Sequence, residues 1–596
     1  MAVLALRQRE GYLHRRGPCQ GRKAPPRGKA ELKFFVWLRA KPSTLARNKN
    51  RRPARYQAQI ARCLNVKAIV PPQAFRYHMP MFSPRVIIAA AHSGAGKSTV
   101  SLALMAAFAG QGMDVRPFKV GPDYIDPGLH QAACGRLSHN LDAWLMPEAA
   151  LYDLFYRHAP QDNGIALIEG VMGLFDGLAM SPVAGTAHVA AMLRAPVLLV
   201  INAKGMSLST AALVKGFAAF APQKSGWPDL SSLHVAGVIV NHTSGPRHAG
   251  QLARIIEDHS GIACLGHLPA HSVPPLPERY MGLVPAAEQP ALAPALARLA
   301  EAARQYLDLD AIMRIAQSAP PLPVPAPVPA PAPAPVPEGQ GILRHALHPA
   351  FQGLRLGIAK DAAFSFYYHD GLAVLEEMGA ELVPFSPLAD KDLPGKLHGL
   401  YLGGGFPEMF AEQLEQNSLF RNALHAALEA GMPAYAECGG MLYLCKSVIS
   451  RPQAPARDMT AFFPHRAVMT GQLQPFGYGT LTLDKDCLLG PAGRQFHAHE
   501  FHYSRIDGPE HGETPKHADL ACAENCLRME KVDGRFWHGG LAKKATLAGY
   551  PHLHFRGCPE AAHAFLCACA AYAGRLPGNL LPEFRASDKI RAKECP

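Results

Sequence analysis

VIIAAAHSGAGKSTVSLALMAAFAG, residues 86–110, joins a β-branched apolar run to an apolar helical run through a glycine-rich turn. Gly94, Gly96, Lys97 and Ser98 fill the last positions of a phosphate-binding loop, although the first position holds Ala91 where the pattern wants glycine. Glycine lets backbone N–H groups wrap phosphate oxygens, lysine supplies charge, and serine can ligate Mg²⁺. The loop predicts a nucleotide site on a strand–loop–helix unit, hence an α/β fold. Further out, Val115–Val120, Ile165–Ile168, Val197–Asn202 and Val235–Asn241 are β-branched runs separated by helical patterns. Apolar strands alternating with helices predict a doubly wound parallel sheet, with ligands at the carboxyl ends of its strands.

Those ends carry acids. The second strand runs into PFKVGPDYIDPGLH, which places Lys119, Asp123 and Asp126 together, and Pro122 and Pro127 favour a tight turn between them. The third runs into ALIEGVMGLFDG, with Glu169 at the sheet edge and Asp176 beyond. An acid directly after an apolar strand is costly unless it meets a cation or water. Beside a phosphate loop, these carboxylates are candidates to bind the metal that a nucleotide brings.

Pro320–Pro337 has ten prolines in 18 residues and predicts an extended polyproline linker. It lies between a first domain at 84–317 and a second at 354–574, with a linker at 318–341 and a tail at 575–596. The second domain repeats the α/β pattern through Leu354–Ala359, a helix over Leu372–Met378, Glu381–Phe385, Gly399–Leu402 and Pro433–Ala436. The last strand runs into ECGGMLYL, placing Cys438 on a sharp strand-to-helix elbow of the kind that presents a nucleophile. LYLGGGFPE puts further glycines after another strand; Gly404, Gly405 and Gly439 are the candidate backbone donors to an oxyanion. A thiolate needs a base, and PHLHF offers His552 and His554, which would share one face if the segment were a strand. His499, Glu500 and His502 lack an evident further ligand and read as architectural or substrate-contacting.

The 596-residue chain carries a formal charge of +13, which by itself suggests a nucleic-acid partner. Its distribution argues otherwise. Residues 1–78 hold 19 Lys/Arg against Glu10 and Glu31, a charge of +17, so the rest carries −4. This basic extension reads best as sequence ahead of a start at Met79 or Met81, with a binding arm or a transit-like leader as the alternatives. No apolar run of 18 residues predicts a membrane span. The 13 scattered cysteines suit reduced thiols in a cytoplasmic protein. Neither nucleic acid nor membrane is expected as a partner.

FKVGPDYIDPGLH, IEGVMGLFDG and the GKS loop resemble the synthetase half of cobyrinic or hydrogenobyrinic acid a,c-diamide synthases, which is related to dethiobiotin synthetase. AKDAAFSFYYHDGL, YLGGGFPE, AECGGMLYL, HAHEFHYSRI and YPHLHF resemble, in order, the flavodoxin-like class I glutamine amidotransferase domain fused to it. The resemblance implies ATP-dependent activation of a corrin carboxylate as an acyl phosphate, and its amidation by ammonia from L-glutamine. It implies nucleotide contacts from the loop and Asn241, Mg²⁺ near Ser98, Asp123 and Glu169, and an acceptor region at Lys119, Asp123, Asp126 and Asp176. Cys438 would be the nucleophile and His552 the base, with His554 in reserve. The Glu that many amidotransferases carry two residues after this histidine is absent, as in this subgroup, so another group must fix the tautomer. A related amidoligase such as cobyric acid synthase, or a P-loop ATPase with an inert amidotransferase module, is the alternative. Cobalt-bearing and cobalt-free substrates are not distinguished, and a homodimer is compatible with the sequence.

Overall fold

The first sheet grows from β1 (Arg85–Ala90), whose residues are all buried. A computed structural model describes residues 82–160, 163–270, 272, 276–279, 282–322, 348–508 and 523–577. The basic extension, most of the proline-rich linker and nearly all of the tail lie outside the described residues. The other strands of this sheet are β2 (Asp114–Val120), β3 (His139–Leu141), β4 (Gly164–Glu169), β5 (Val197–Asn202), β6 (Val235–Thr243) and β7 (Cys264–Pro269). All seven are parallel in the order β3-β2-β4-β1-β5-β6-β7. The expected runs are all present, and β3 and β7 are additional. β3 has only three residues and β7 is broken by Gly266, so neither leaves a clear periodic signal.

The chain order reverses on either side of β1, so the phosphate loop opens at the switch point of the sheet. Helix α1 (Lys97–Gly110) follows the loop. It is apolar on nearly all sides because it lies in the core between the sheet and the helix Leu292–Tyr306. Parallel register sets Lys119 directly beside Glu169, and Ile88 beside the same Glu169.

The second domain has five parallel strands: β8 (Leu354–Ala359), β9 (Ala380–Phe385), β10 (Gly399–Leu402), β11 (Ala434–Glu437) and β12 (Thr546–Gly549). Their order, β9-β8-β10-β11-β12, is the flavodoxin-like order. Four antiparallel strands extend this sheet beyond β12: Phe536–Lys543, Ala523–Glu530, Gly477–Leu483 and Gln495–Glu500.

The linker composition suggests two separate bodies, yet the two domains pack against each other. Phe366 and Phe406 of the second join the core cluster that includes α1. Asp370 of the second domain takes His139 Nδ1 at 2.9 Å and His158 Nε2 at 3.3 Å from the first. The Tyr478 hydroxyl donates to Asp142 at 2.8 Å, and Trp144 stacks on His497 at 4.2 Å. Among the described residues no helix is long and apolar enough to cross a membrane.

Candidate functional site

The first site is the carboxyl edge of the parallel sheet. Gly96 sits at φ 100°, and a β-carbon there would lie 1.9 Å from Asn241 Nδ2, so only glycine fits. The Asn241 side chain is buried beneath the loop, where its amide donates to the Ala95 carbonyl at 3.0 Å and its oxygen accepts from His242 N–H. Lys97 Nζ donates to the Met172 carbonyl at 2.5 Å. Burial, reinforced by Lys119, lowers the Lys97 pKa to about 8.

Glu169 organises this edge. Its Oε1 accepts from the Ser98 hydroxyl at 2.7 Å and from Lys119 Nζ at 3.0 Å, and its Oε2 meets His130 Nε2 at 2.8 Å. Burial would raise its pKa, but Lys119, His130 and Ser98 hold it well below the usual carboxylate range. Lys119 also contacts Asp126 at 2.6 Å and Asp123 at 3.9 Å. The tight turn expected between those acids is built by Asp123 Oδ1, which accepts the N–H groups of Ile125 and Asp126 at 2.8 and 3.0 Å. Asn140 braces the same turn through the Gly121 and Asp123 carbonyls. Asp176 lies nearer the phosphate loop: it accepts the Gly173 N–H at 3.1 Å, and its charge acts on Lys97.

The second site lies at the end of β11. Cys438 adopts φ 46°, ψ −104°, a strained conformation for a non-glycine residue and the mark of a nucleophile elbow. It is pinned by its N–H bond to the Gly549 carbonyl at 2.7 Å. His552 Nδ1 lies 3.1 Å from Glu437 Oε2, and the imidazole also hydrogen-bonds the Cys438 sulfur. Glu437 is 1% exposed, and it also accepts from the Tyr401 hydroxyl at 3.1 Å and from Leu553 N–H at 3.2 Å. Burial lowers the His552 pKa, but hydrogen bonds to Cys438 and Glu437 outweigh it and raise the value to about 10. Two glycine segments close over this group. A β-carbon on Gly404 would lie 2.9 Å from His552 Cε1, and one on Gly439 would lie 2.9 Å from Gly405 N.

The expected H-x-H strand does not form. Pro551 lacks an N–H for a ladder, and His552 makes an isolated bridge to His499 instead. The two histidines part: His552 meets Glu437, whereas His554 stacks on Tyr368 at 4.6 Å, its ring nitrogens without a partner among the described residues.

A thiol, imidazole and carboxylate in contact, in one chain with a phosphate loop backed by a buried glutamate, match what known proteins show. A CobQ/CobB/MinD/ParA nucleotide binding domain matches residues 86–283, and a CobB/CobQ-like glutamine amidotransferase domain matches 355–559. The cobyrinate a,c-diamide synthase of Listeria monocytogenes serotype 4b is 39% identical over 476 residues, spanning 79% of this chain and 96% of that protein. The Syntrophotalea carbinolica enzyme of the same name is 39% identical over 490 residues (82% and 99%). That of Methanosarcina acetivorans is 37% identical over 516 (83% and 97%). The chain belongs to the cobyrinate a,c-diamide synthase family.

For a member of the cobyrinate a,c-diamide synthase family, two buried residues stand out that motif reading missed. Glu437 directly precedes Cys438 and, like Glu169, is a buried acid that ends an apolar strand. His130 lies four residues after Asp126 on the helix Asp126–Cys134, so both side chains share a face toward Lys119 and Glu169. Its other nitrogen meets the Ser138 hydroxyl at 2.9 Å.

The donor set also fits a hard divalent cation. Three carboxylates crowd the Lys119 ammonium, and burial together with Asp123 pushes the Asp126 pKa well up, a charge imbalance that a cation would relieve. With Oδ1 of Asp123 taken by backbone N–H groups, its Oδ2 faces Lys119 at 3.9 Å, and the Ser98 hydroxyl sits on Glu169 at 2.7 Å. Oxygen donors of this kind suit Mg²⁺.

Proposed function

We propose that the chain amidates the a and c acetate side chains of a corrin, cobyrinate or its cobalt-free counterpart hydrogenobyrinate, using ATP and L-glutamine. The observation that supports this best is the co-occurrence in one chain of a complete thiol–imidazole–carboxylate group and a phosphate loop facing a carboxylate cluster.

The Cys438 thiolate attacks the glutamine amide carbon. His552, held as an imidazolium by Glu437, gives its proton to the departing nitrogen, so ammonia leaves and a thioester remains. Backbone N–H groups around Gly404, Gly405 and Gly439 stabilise the oxyanion, and water then releases glutamate. At the other site the loop amides and Lys97 hold the ATP phosphates, with Asn241 bracing the loop on its adenine side. The acceptor carboxylate, positioned by Lys119, Asp123, Asp126 and Asp176, takes the γ-phosphoryl group and ADP leaves. Ammonia attacks the acyl carbon, phosphate departs and a proton is lost, giving the amide. Mg²⁺ held by Ser98, Asp123 and Glu169 would neutralise phosphoryl charge.

Incubation of the purified protein with either corrinoid, ATP, Mg²⁺ and glutamine, followed by mass spectrometry, tests this. A monoamide followed by a diamide is expected. ATP and glutamine turnover with no amidated corrinoid would defeat the substrate assignment.

Glu437 serves here as a positioning residue that fixes the His552 tautomer. Replacing it with glutamine should lower glutaminase kcat on the order of 10²- to 10⁴-fold. The pH profile separates this from a merely structural effect. His552 is raised to about 10, so the protonated form and the stability it contributes are complete below its unfolded value and are lost as pH rises through about 10. The basic limb of the glutaminase profile should therefore lie near pH 10 and move to lower pH in Glu437→Gln. The groups facing the ring are Glu437, Cys438 and Tyr124, with His499, Glu500 and His502 acting at longer range. An unmoved limb would show that Glu437 does not set the charge of His552.

A further inference from the structure

Three side chains that neither catalytic group uses meet where the two domains touch. His139 opens β3, His158 ends the helix Glu148–His158, and Asp370 stands in the first turn of the helix His369–Glu377 of the second domain. Asp370 is 2% exposed. Each of its oxygens meets one imidazole: Oδ2 lies 2.9 Å from His139 Nδ1, and Oδ1 lies 3.3 Å from His158 Nε2. The two rings are stacked with centroids 3.6 Å apart, so both offer nitrogens to the same carboxylate. One nitrogen from each ring and one carboxylate oxygen all lie within 4.8 Å of one another.

Two further features set this group apart from an ordinary buried ion pair. A carboxylate taken out of water needs compensating charge, yet Asp370 has no lysine or arginine partner among the described residues. The guanidiniums of Arg157, next to His158, and of Arg556 both pair with Glu377 instead, at 3.1 and 2.8 Å. A third imidazole, that of His554, is buried close enough for the charges of Asp370 and His139 to act on it. Neither of its nitrogens has a partner among the described residues. Buried polar groups are rarely left so, and imidazoles gathered on one carboxylate are a donor set that transition metals favour.

We propose that His139, His158 and Asp370 bind a divalent transition cation of the zinc class at the domain junction, with His554 available as a fourth ligand. Tetrahedral zinc with bonds of about 2.0–2.2 Å keeps its donors about 3.3–3.5 Å apart, so side-chain shifts of roughly an ångström seat the ion. Two imidazoles select against Mg²⁺, which prefers oxygen donors, and this site is separate from the Glu169 cluster. Its ligands come from both domains, so the cation ties one to the other. His139 also precedes Asn140, which braces the turn at Asp123, so the same ion steadies the carboxylate edge of the first site.

The test is metal binding by the full-length protein, stripped with a chelator, supplied with zinc or cobalt(II) and desalted. The unaltered protein should retain one equivalent of zinc per chain at this site. Cobalt(II) should give the visible bands of nitrogen and oxygen ligation without the intense near-ultraviolet band of a thiolate ligand, which separates this site from Cys438 and His552. His158→Ala, at a partly exposed helix end, should lose that equivalent and those bands while keeping its far-ultraviolet circular dichroism. Zinc at about a hundredfold excess over its dissociation constant should raise the melting temperature by roughly 5 °C or more in the unaltered protein and not in the variant. No retained zinc in the unaltered protein, equal zinc in both proteins, or a thiolate band in place of the expected spectrum would overturn the site and leave Asp370 as a hydrogen-bond acceptor alone.

Discussion

Cys438→Ser should lower glutamine-supported amidation by at least about a thousandfold while leaving ammonia-supported amidation close to that of the unaltered protein. Serine preserves the shape of the elbow and its bond to the Gly549 carbonyl, so the fold is not at stake. What disappears is the sulfur that pairs with His552, and an alcohol at this position has no comparable anionic form near neutral pH. Every buried polar group of the first site remains, because Glu169, Lys119 and Ser98 belong to the other domain. Free ammonia therefore still meets a working phosphate loop. The measurement is corrin amide formed per minute with glutamine or with ammonium chloride at a pH where some ammonia is unprotonated. Equal loss with both sources would show that the two sites do not divide the reaction as proposed.

Lys97→Ala should remove amidation from either source, on the order of 10²- to 10³-fold, because a buried cation facing transferred phosphoryl charge acts in a site that excludes water. Lys97 is 8% exposed, and among the described residues its ammonium donates to a backbone carbonyl, that of Met172. Losing that bond costs about 1 kcal/mol, so thermal unfolding should move little while the reaction stops. Glutamine hydrolysis at Cys438 should persist in this variant, since Lys97 touches none of the groups around the thiol. Retention of a large part of the ammonia-supported rate would mean that ATP is not activated at this loop.

The two variants probe features that the sequence exposes to different degrees. The phosphate loop, the cysteine elbow and the apolar strands preceding them are local: a few adjacent residues set the turn, and the periodicity around them sets the element. Strand runs such as Val197–Asn202 and Leu354–Ala359 therefore stand where their β-branched residues place them. The acids at strand ends also declare themselves, because burying a carboxylate at a sheet edge requires a reason.

Partners that come from distant parts of the chain do not. His130 reaches Glu169 only because β2 and β4 are neighbours, and Glu437 meets His552 only because β12 lies against β11, more than a hundred residues along the chain. Pairing order is a property of the whole sheet, and no local spacing encodes it. The proline-rich linker is equally uninformative about contact, since a spacer limits reach but says nothing of the surfaces it joins.

Taken alone, the sequence determines two α/β domains, a nucleotide loop and a cysteine elbow, because each rests on short-range geometry. The tertiary structure determines which carboxylate holds His552, which histidine supports Glu169, and that Tyr124 carries the first domain to the threshold of the second. Those contacts arise from the packing of distant strands and of one domain on the other, and they exist only once both have formed.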